Sequence, residues 1–167
     1  YTGYPPIIGP VETYEIQPDD LFVCALGNVH YKNKYVSIIK SKGGRFISLI
    51  HPSSMISITT QYGEGLIVCQ FVNISCDIVI GNFVTIQPFS EIGHDVFIGD
   101  HCHLNSHAFL GGYVRLGNYV TVHSGAKIIP RLKIGNNSVI GAGSVVTKNV
   151  QEDCTVFGNP AKVIFAE

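Results

Sequence analysis

From Val68 to Val146 every sixth residue is Ile, Leu or Val: Val68, Ile74, Ile80, Ile86, Ile92, Ile98, Leu104, Leu110, Leu116, Val122, Ile128, Ile134, Ile140 and Val146. Two residues before each stands a second small or aliphatic side chain, among them Leu66, Ile78, Cys102, Ala126 and Ser144. One residue after, glycine recurs at 81, 93, 99, 111, 117, 135 and 141, which reads as a corner where the chain turns without a Cβ clash. Two inward positions and a corner per six residues describe a short strand and a turn, whereas a helix would smear the pattern around its circumference. Three hexads make a coil of 18 residues, and stacked coils pair as parallel strands about 4.8 Å apart. The chain is therefore expected to be mainly β, a parallel solenoid of about five coils.

Ahead of the repeat the pattern changes. Leu21 to Leu26 (LFVCAL) reads as a buried strand ending at Gly27-Asn28. Tyr31, Tyr35, Ile38 and Ile39 recur at helical spacing through Lys42, with Gly43-Gly44 as a stop. Arg45 to Ile50 (RFISLI) reads as a second strand closed by His51-Pro52. Strand, helix, strand is a βαβ unit, here part of a small Rossmann-like domain. The expected division is 1–52 for that domain, 53–150 for the solenoid and 151–167 for a tail, since the hexad fails at Glu152 and GNPAKVI (158–164) is expected to leave the solenoid.

Charge narrows the partners. Eleven Lys+Arg against twelve Asp+Glu give a formal net charge of −1, with only 14% of residues charged, so there is no basic footprint for nucleic acid. No apolar run approaches the ~18 residues of a membrane span, and no leader pattern opens the chain. Five scattered cysteines without CxxC spacing fit a reducing cytoplasm. Tyr1, rather than a methionine, opens the chain, so a preceding segment is expected.

Five of the seven histidines, His94, His101, His103, His107 and His123, fall within one short stretch of the repeat, none at an inward position. All five are expected to point outward, to solvent or to a neighbouring subunit. His94 is followed directly by Asp95 at a corner. An imidazole takes a proton near neutral pH, and an adjacent carboxylate fixes its tautomer and stabilises its charged form. Cys102 sits at an inward position, which assigns it to the core rather than to a covalent intermediate.

The unbroken hexads, IGAGSVVTKNV at 140–150 and GNPAKVI at 158–164 resemble the left-handed β-helix (hexapeptide-repeat) acyltransferases, which use acyl-CoA. With the βαβ segment, LIHPS at 49–53 and GHDVFIG at 93–99, the chain is similar to the branch of sialic acid O-acetyltransferases and nucleotide-amino-sugar N-acetyltransferases. The resemblance implies a left-handed parallel β-helix and acetyl-CoA as co-substrate. It implies His94 as general base, with Asp95 raising its basicity. It further implies His103 near the thioester, with Gly112, Ser124 and Ala142 as CoA contacts and Lys148 and Lys162 facing CoA phosphates. Leu26, Gly27 and Asn28 match a contact loop for the nucleotide-sugar, whose amine is the expected acceptor. The family's opening strand, its glycine-rich turn and the acidic residue after its second strand are not among these residues. A homotrimer with sites between neighbouring subunits is implied, and no metal, nucleic acid or membrane is expected.

Three other readings stand beside this one. A sugar O-acetyltransferase needs the same base. A γ-type carbonic anhydrase would bind zinc through three converging histidines, of which His101, His103 and His107 could offer two. A non-catalytic β-helix scaffold would leave the histidines incidental.

Overall fold

A computed structural model describes residues 3–166; Tyr1, Thr2 and Glu167, at the ends of the expected N-terminal domain and tail, lie outside the described residues. Two units follow one another. The first is a parallel βαβ unit of β1 (Leu21–Phe22), α1 (Val29–Ser41) and β2 (Arg45–Phe46), with Leu21 opposite Arg45 and Phe22 opposite Phe46. The second is a parallel β-solenoid whose two-residue strands run from β3 (Leu49–Ile50) to β19 (Val145–Val146), one per hexad.

The helix begins two residues before the apolar spacing at Tyr31 announces it, because Asn28 caps it: its side-chain oxygen accepts from the His30 and Tyr31 amides. It ends as expected. Gly43 takes φ 84° and donates to the Lys40 carbonyl, and Gly44 donates to that of Ile39. The strand expected over Leu21 to Leu26 is paired only at Leu21–Phe22. RFISLI is not one strand but two. Arg45–Phe46 pairs with β1, whereas Leu49–Ile50 pairs with Ile67–Val68 and is already the first strand of the solenoid. The hexad frame in fact extends back through Ile56 to Ile50, ahead of residue 53, which makes about six coils rather than five.

From Leu49–Ile50 to Lys127–Ile128 each strand pairs with the one 18 residues on, giving a prism with three faces and three corners. The first face carries Ile67, Thr85, His103, Thr121 and Val139; the second Asn73, Glu91, Phe109 and Lys127; the third Val79, Phe97, Arg115 and Lys133. Both inward rows are buried from Leu66 to Val146 with few exceptions, forming one apolar column along the axis. The tail does not leave the wall. Strand β20 (Cys154–Gly158) extends the first face in parallel beside Val139–Ile140, and β21 (Ala161–Ala166) folds back antiparallel as its edge.

The glycines after the strands turn out to serve close approach rather than a left-handed turn. A Cβ on Gly93 would stand 2.7 Å from the Gly112 amide nitrogen of the next coil. The left-handed residues lie two positions later and are mostly not glycine: Phe71, Asp77, Phe83, Phe89, Asp95, His101, His107, Tyr113, Tyr119 and Arg131 all have φ between 56° and 69°. Such a conformation costs a non-glycine residue about 1 kcal/mol or more, and stacking offsets it. Phe71, Phe89 and His107 stack along the first corner, and Phe83, His101 and Tyr119 along the third.

Candidate active site at the second corner

His94 and Asp95 occupy the second corner, between the second and third faces. Asp95 takes the left-handed conformation at φ 57°, which turns its carboxylate back onto its neighbour: His94 Nδ1 lies 2.8 Å from Asp95 Oδ2. In the neutral imidazole this contact places the proton on Nδ1 and leaves Nε2 as the free base. That nitrogen faces Gly112, one coil further on, where an added Cβ would stand only 2.7 Å from it. The His94 side chain remains about half exposed, so its lone pair is reachable. A tautomer fixed by a carboxylate, with a glycine keeping its other nitrogen clear, leaves an imidazole able to accept a proton from a group bound at this corner.

The other sequence-derived residues fall into separate groups. Lys148 stands at the same corner as Gly112, two coils on, and with Lys162 of β21 it lines a hollow of about 370 Å³. Ser124 and Ala142 are exposed one above the other at the first corner, where the Gly143 amide donates to the Ser124 carbonyl at 2.9 Å. Gly27 and Asn28 flank the start of α1 and, with His30, Tyr119, Thr121 and His123, line a groove of about 250 Å³ against the first face. Leu26 is exposed just before that groove.

His103 lies elsewhere than the outward, solvent-facing position expected of it. It points away from the solenoid axis, yet only 3% of it is exposed, because the βαβ unit covers it. A Cβ on Gly27 would touch its Cε1 at 3.8 Å, and the Gln87 amide nitrogen is 3.2 Å from its Nε2. Burial, with Lys32 and His123 nearby, pushes His103 down to about 4. His101 is likewise buried, between the rings of Phe83 and Tyr119, and is lowered by burial and by Lys32. The expectation that all five histidines face solvent or a neighbouring subunit is thus corrected for these two.

Lys32 is what holds the cover in place, and the sequence reading passed over it. It is fully buried, and its ammonium donates to the Phe83 carbonyl at 3.0 Å, Thr85 Oγ1 at 3.1 Å and the Cys102 carbonyl at 3.4 Å. Burial pushes the amine down to about 8. The signal was present: Val29, Lys32, Val36 and Ile39 form the buried stripe of α1, so the lysine occupies a core position of the helix. Cys102 is buried as expected, and burial pushes its thiol up to about 12, which leaves it a protonated core residue whose Sγ donates to the Gly117 carbonyl at 3.1 Å.

His101, His103 and His107 stand at the third corner, the first face and the first corner, and do not converge. Among the described residues no group of three or more His, Cys, Asp or Glu side chains is placed to hold a metal ion. No helix among them is long and apolar enough to cross a membrane.

Two stretches, 77–112 and 113–148, match the pattern of the family described as bacterial transferase hexapeptide (six repeats). Comparison with curated proteins finds no match. Among solved structures the chain is similar to PerB from Caulobacter crescentus in complex with CoA and GDP-perosamine, with 31% identity and a TM-score of 0.84 over 86% of this chain and 69% of that one. It is similar to WeeI from Acinetobacter baumannii AYE at 29% identity and a TM-score of 0.85, over 89% of this chain and 73% of WeeI. The acetyltransferase domain of PglB from Neisseria gonorrhoeae FA1090, in complex with acetyl coenzyme A, is 26% identical with a TM-score of 0.80, over 84% of this chain and 68% of that domain. With the unbroken hexads and the corner histidine, these likenesses place the chain in a family: it belongs to the hexapeptide-repeat acyltransferases that fold as left-handed parallel β-helices, in their branch of sugar acetyltransferases.

Proposed function

We propose that this protein transfers the acetyl group of acetyl-CoA to the amine of a nucleotide-linked amino sugar, with His94 as the general base. The observation that carries this reading is the 2.8 Å contact of His94 Nδ1 with Asp95, which leaves Nε2 free beside Gly112. As the amine attacks the thioester carbonyl, Nε2 accepts its proton; the tetrahedral intermediate collapses, the carbon–sulfur bond breaks, and the imidazolium gives the proton to the departing sulfur so that CoA leaves as the thiol. Asp95 holds the tautomer and stabilises the imidazolium. No cysteine takes part, and transfer is direct. That PerB was crystallised with CoA and GDP-perosamine, and the PglB domain with acetyl coenzyme A, supports both substrates.

Acetyl-CoA runs along the second corner from Gly112 towards Lys148 and Lys162, which face its phosphates, while Ser124 and Ala142, at the first corner, reach the thiol arm from a neighbouring protomer. The nucleotide-sugar occupies the groove at Leu26, Gly27 and Asn28. Because that groove and His103 lie on the first face, across the prism from His94, the complete site joins two protomers of a homotrimer in the cytoplasm.

The test is release of free CoA from acetyl-CoA with a panel of nucleotide-linked amino and hydroxy sugars, using His94→Ala as control. Turnover of an amino sugar that His94→Ala reduces about 10²-fold or more is expected. Turnover that survives in His94→Ala removes the base assignment, and turnover of hydroxy sugars alone makes the enzyme an O-acetyltransferase.

A further inference from the structure

At the first and third corners, each left-handed aromatic residue stacks on a ring one coil away. The planes are nearly parallel, at 17° for Phe71 with Phe89, 9° for Phe89 with His107, 20° for Phe83 with His101 and 6° for His101 with Tyr119. The second corner breaks this rule. There the left-handed residue one coil before Tyr113 is Asp95, which offers no ring and is engaged with His94. Tyr113 turns aside instead and meets the His94 ring at 5.1 Å and 87°. Its own ring is covered by the Arg131 guanidinium, 4.8 Å from the ring centroid. Asp95, Tyr113 and Arg131 hold successive left-handed positions at φ 57°, 63° and 69°. The Tyr113 amide donates to the His94 carbonyl and the Arg131 amide to that of Gly112, both at 2.9 Å. Carboxylate, imidazole, phenol and guanidinium thus form one continuous line along the corner.

We infer that Tyr113 is a positioning residue for His94, and that Arg131 acts through Tyr113 to hold the imidazole. The inference rests on the assignment of His94 as the base. An exposed imidazole on a corner has two torsions to lose. Asp95 restrains one ring nitrogen, but a single hydrogen bond leaves the ring free to swing about it. Packing at right angles by a phenol that is itself pinned from the far side removes that swing. Nδ1 then stays on Asp95 and Nε2 stays over Gly112. An aromatic ring is required and its hydroxyl is not, because the contact with His94 and the cover by Arg131 both involve the ring.

The experiment combines steady-state CoA release with nitrogen NMR of the histidine side chains in the full chain, for Tyr113→Phe, Tyr113→Ala and Arg131→Ala. The His94 signals are assigned by their loss in His94→Ala. Tyr113→Phe is expected to keep kcat within twofold. Tyr113→Ala is expected to lose kcat by about 10-fold to 10²-fold, the scale of misplacing a reacting group by an ångström, with both KM values little changed. Arg131→Ala is expected to lose less, and the double variant no more than Tyr113→Ala alone. The neutral His94 of Tyr113→Ala is expected to show mixed tautomers where the parent shows the proton on Nδ1. Unchanged kcat in Tyr113→Ala, or lost kcat with the Nδ1 tautomer intact, overturns the inference. If His94→Ala itself still turns over, the base assignment fails, while the nitrogen signals of Tyr113→Ala still decide whether the phenol positions the imidazole.

Discussion

His94 and His103 are nine residues apart in a coil of 18, so they stand on opposite sides of the same prism. No side-chain rotation brings them together within one chain. If both serve one acetyl transfer, they do so from different protomers. Mixing His94→Ala with His103→Ala therefore has a defined outcome. Random reassembly of the proposed trimer makes three quarters of the assemblies mixed, each with one site intact in three, so activity is expected to return to about a quarter of the parent's. Each variant alone is inactive. A mixture as inactive as its components would show that both histidines must come from one chain, or that His103 has no part in the site.

Asp95→Asn keeps the shape of the corner and removes the charge that meets His94 Nδ1. An amide can present either its oxygen or its nitrogen, so the tautomer is no longer imposed. The expected result is a fall in kcat of at least about 10-fold, with the KM for acetyl-CoA unchanged. Initial rates at saturating substrate read it directly.

Gly112 and Gly93 are neighbours at this corner, but alanine should act on them differently. On Gly112 a Cβ meets His94 Nε2, the far end of a side chain rather than backbone. Gly112→Ala is therefore expected to melt like the parent and to lose most of its turnover. On Gly93 the Cβ meets the Gly112 backbone nitrogen at 2.7 Å. The backbone of the next coil has to give way, so Gly93→Ala is expected to lower the thermal midpoint, at a cost of roughly 1–3 kcal/mol.

Lys32→Ala removes a buried ammonium that holds α1 to the solenoid through the Phe83 and Cys102 carbonyls and Thr85. It leaves a cavity and a carbonyl short of its donor, at a cost of about 2–4 kcal/mol. That loss falls on the βαβ unit rather than on the coils. Limited proteolysis should cut residues 21–46 in Lys32→Ala under conditions that leave both units of the parent and the solenoid of the variant intact.

Acid should loosen the same junction. His103 is held down to about 4 in the folded chain, against an ordinary 6.5. Between these values the unfolded chain binds the proton and the folded chain does not, so stability falls as the pH drops from 6.5 towards 4 and this group contributes no further change below that. The urea midpoint of the parent is expected to decline across this window more steeply than that of His103→Gln. Parallel declines would show that the carboxylates alone carry the effect.

Much of this protein is legible along the chain. The inward rows announce themselves because water is excluded from them in every coil, so the same two positions of each hexad must be apolar or small. Cys102 is assigned correctly for that reason, and the adjacency of His94 and Asp95 already announces the pair that the corner brings into contact. Ahead of Val68 the frame is interrupted at Tyr62, yet Ile50 and Ile56 keep it and pair with the next coil, which is why RFISLI divides between two units.

The outward positions are another matter. His94 at a corner and His103 on a face are both outward in the hexad, yet one is open and the other buried, and the repeat does not announce which of them is covered. That difference comes from Lys32, whose partners Phe83 and Cys102 lie 51 and 70 residues away. The left-handed corners are equally silent in the sequence, since phenylalanine, aspartate, tyrosine and arginine all occupy them against their intrinsic preference. Each is held there by a hydrogen bond from its amide to the preceding coil. Local periodicity determined the wall, while contacts between remote segments decided which of its outward side chains are covered, which are pinned and which are left free to take a proton.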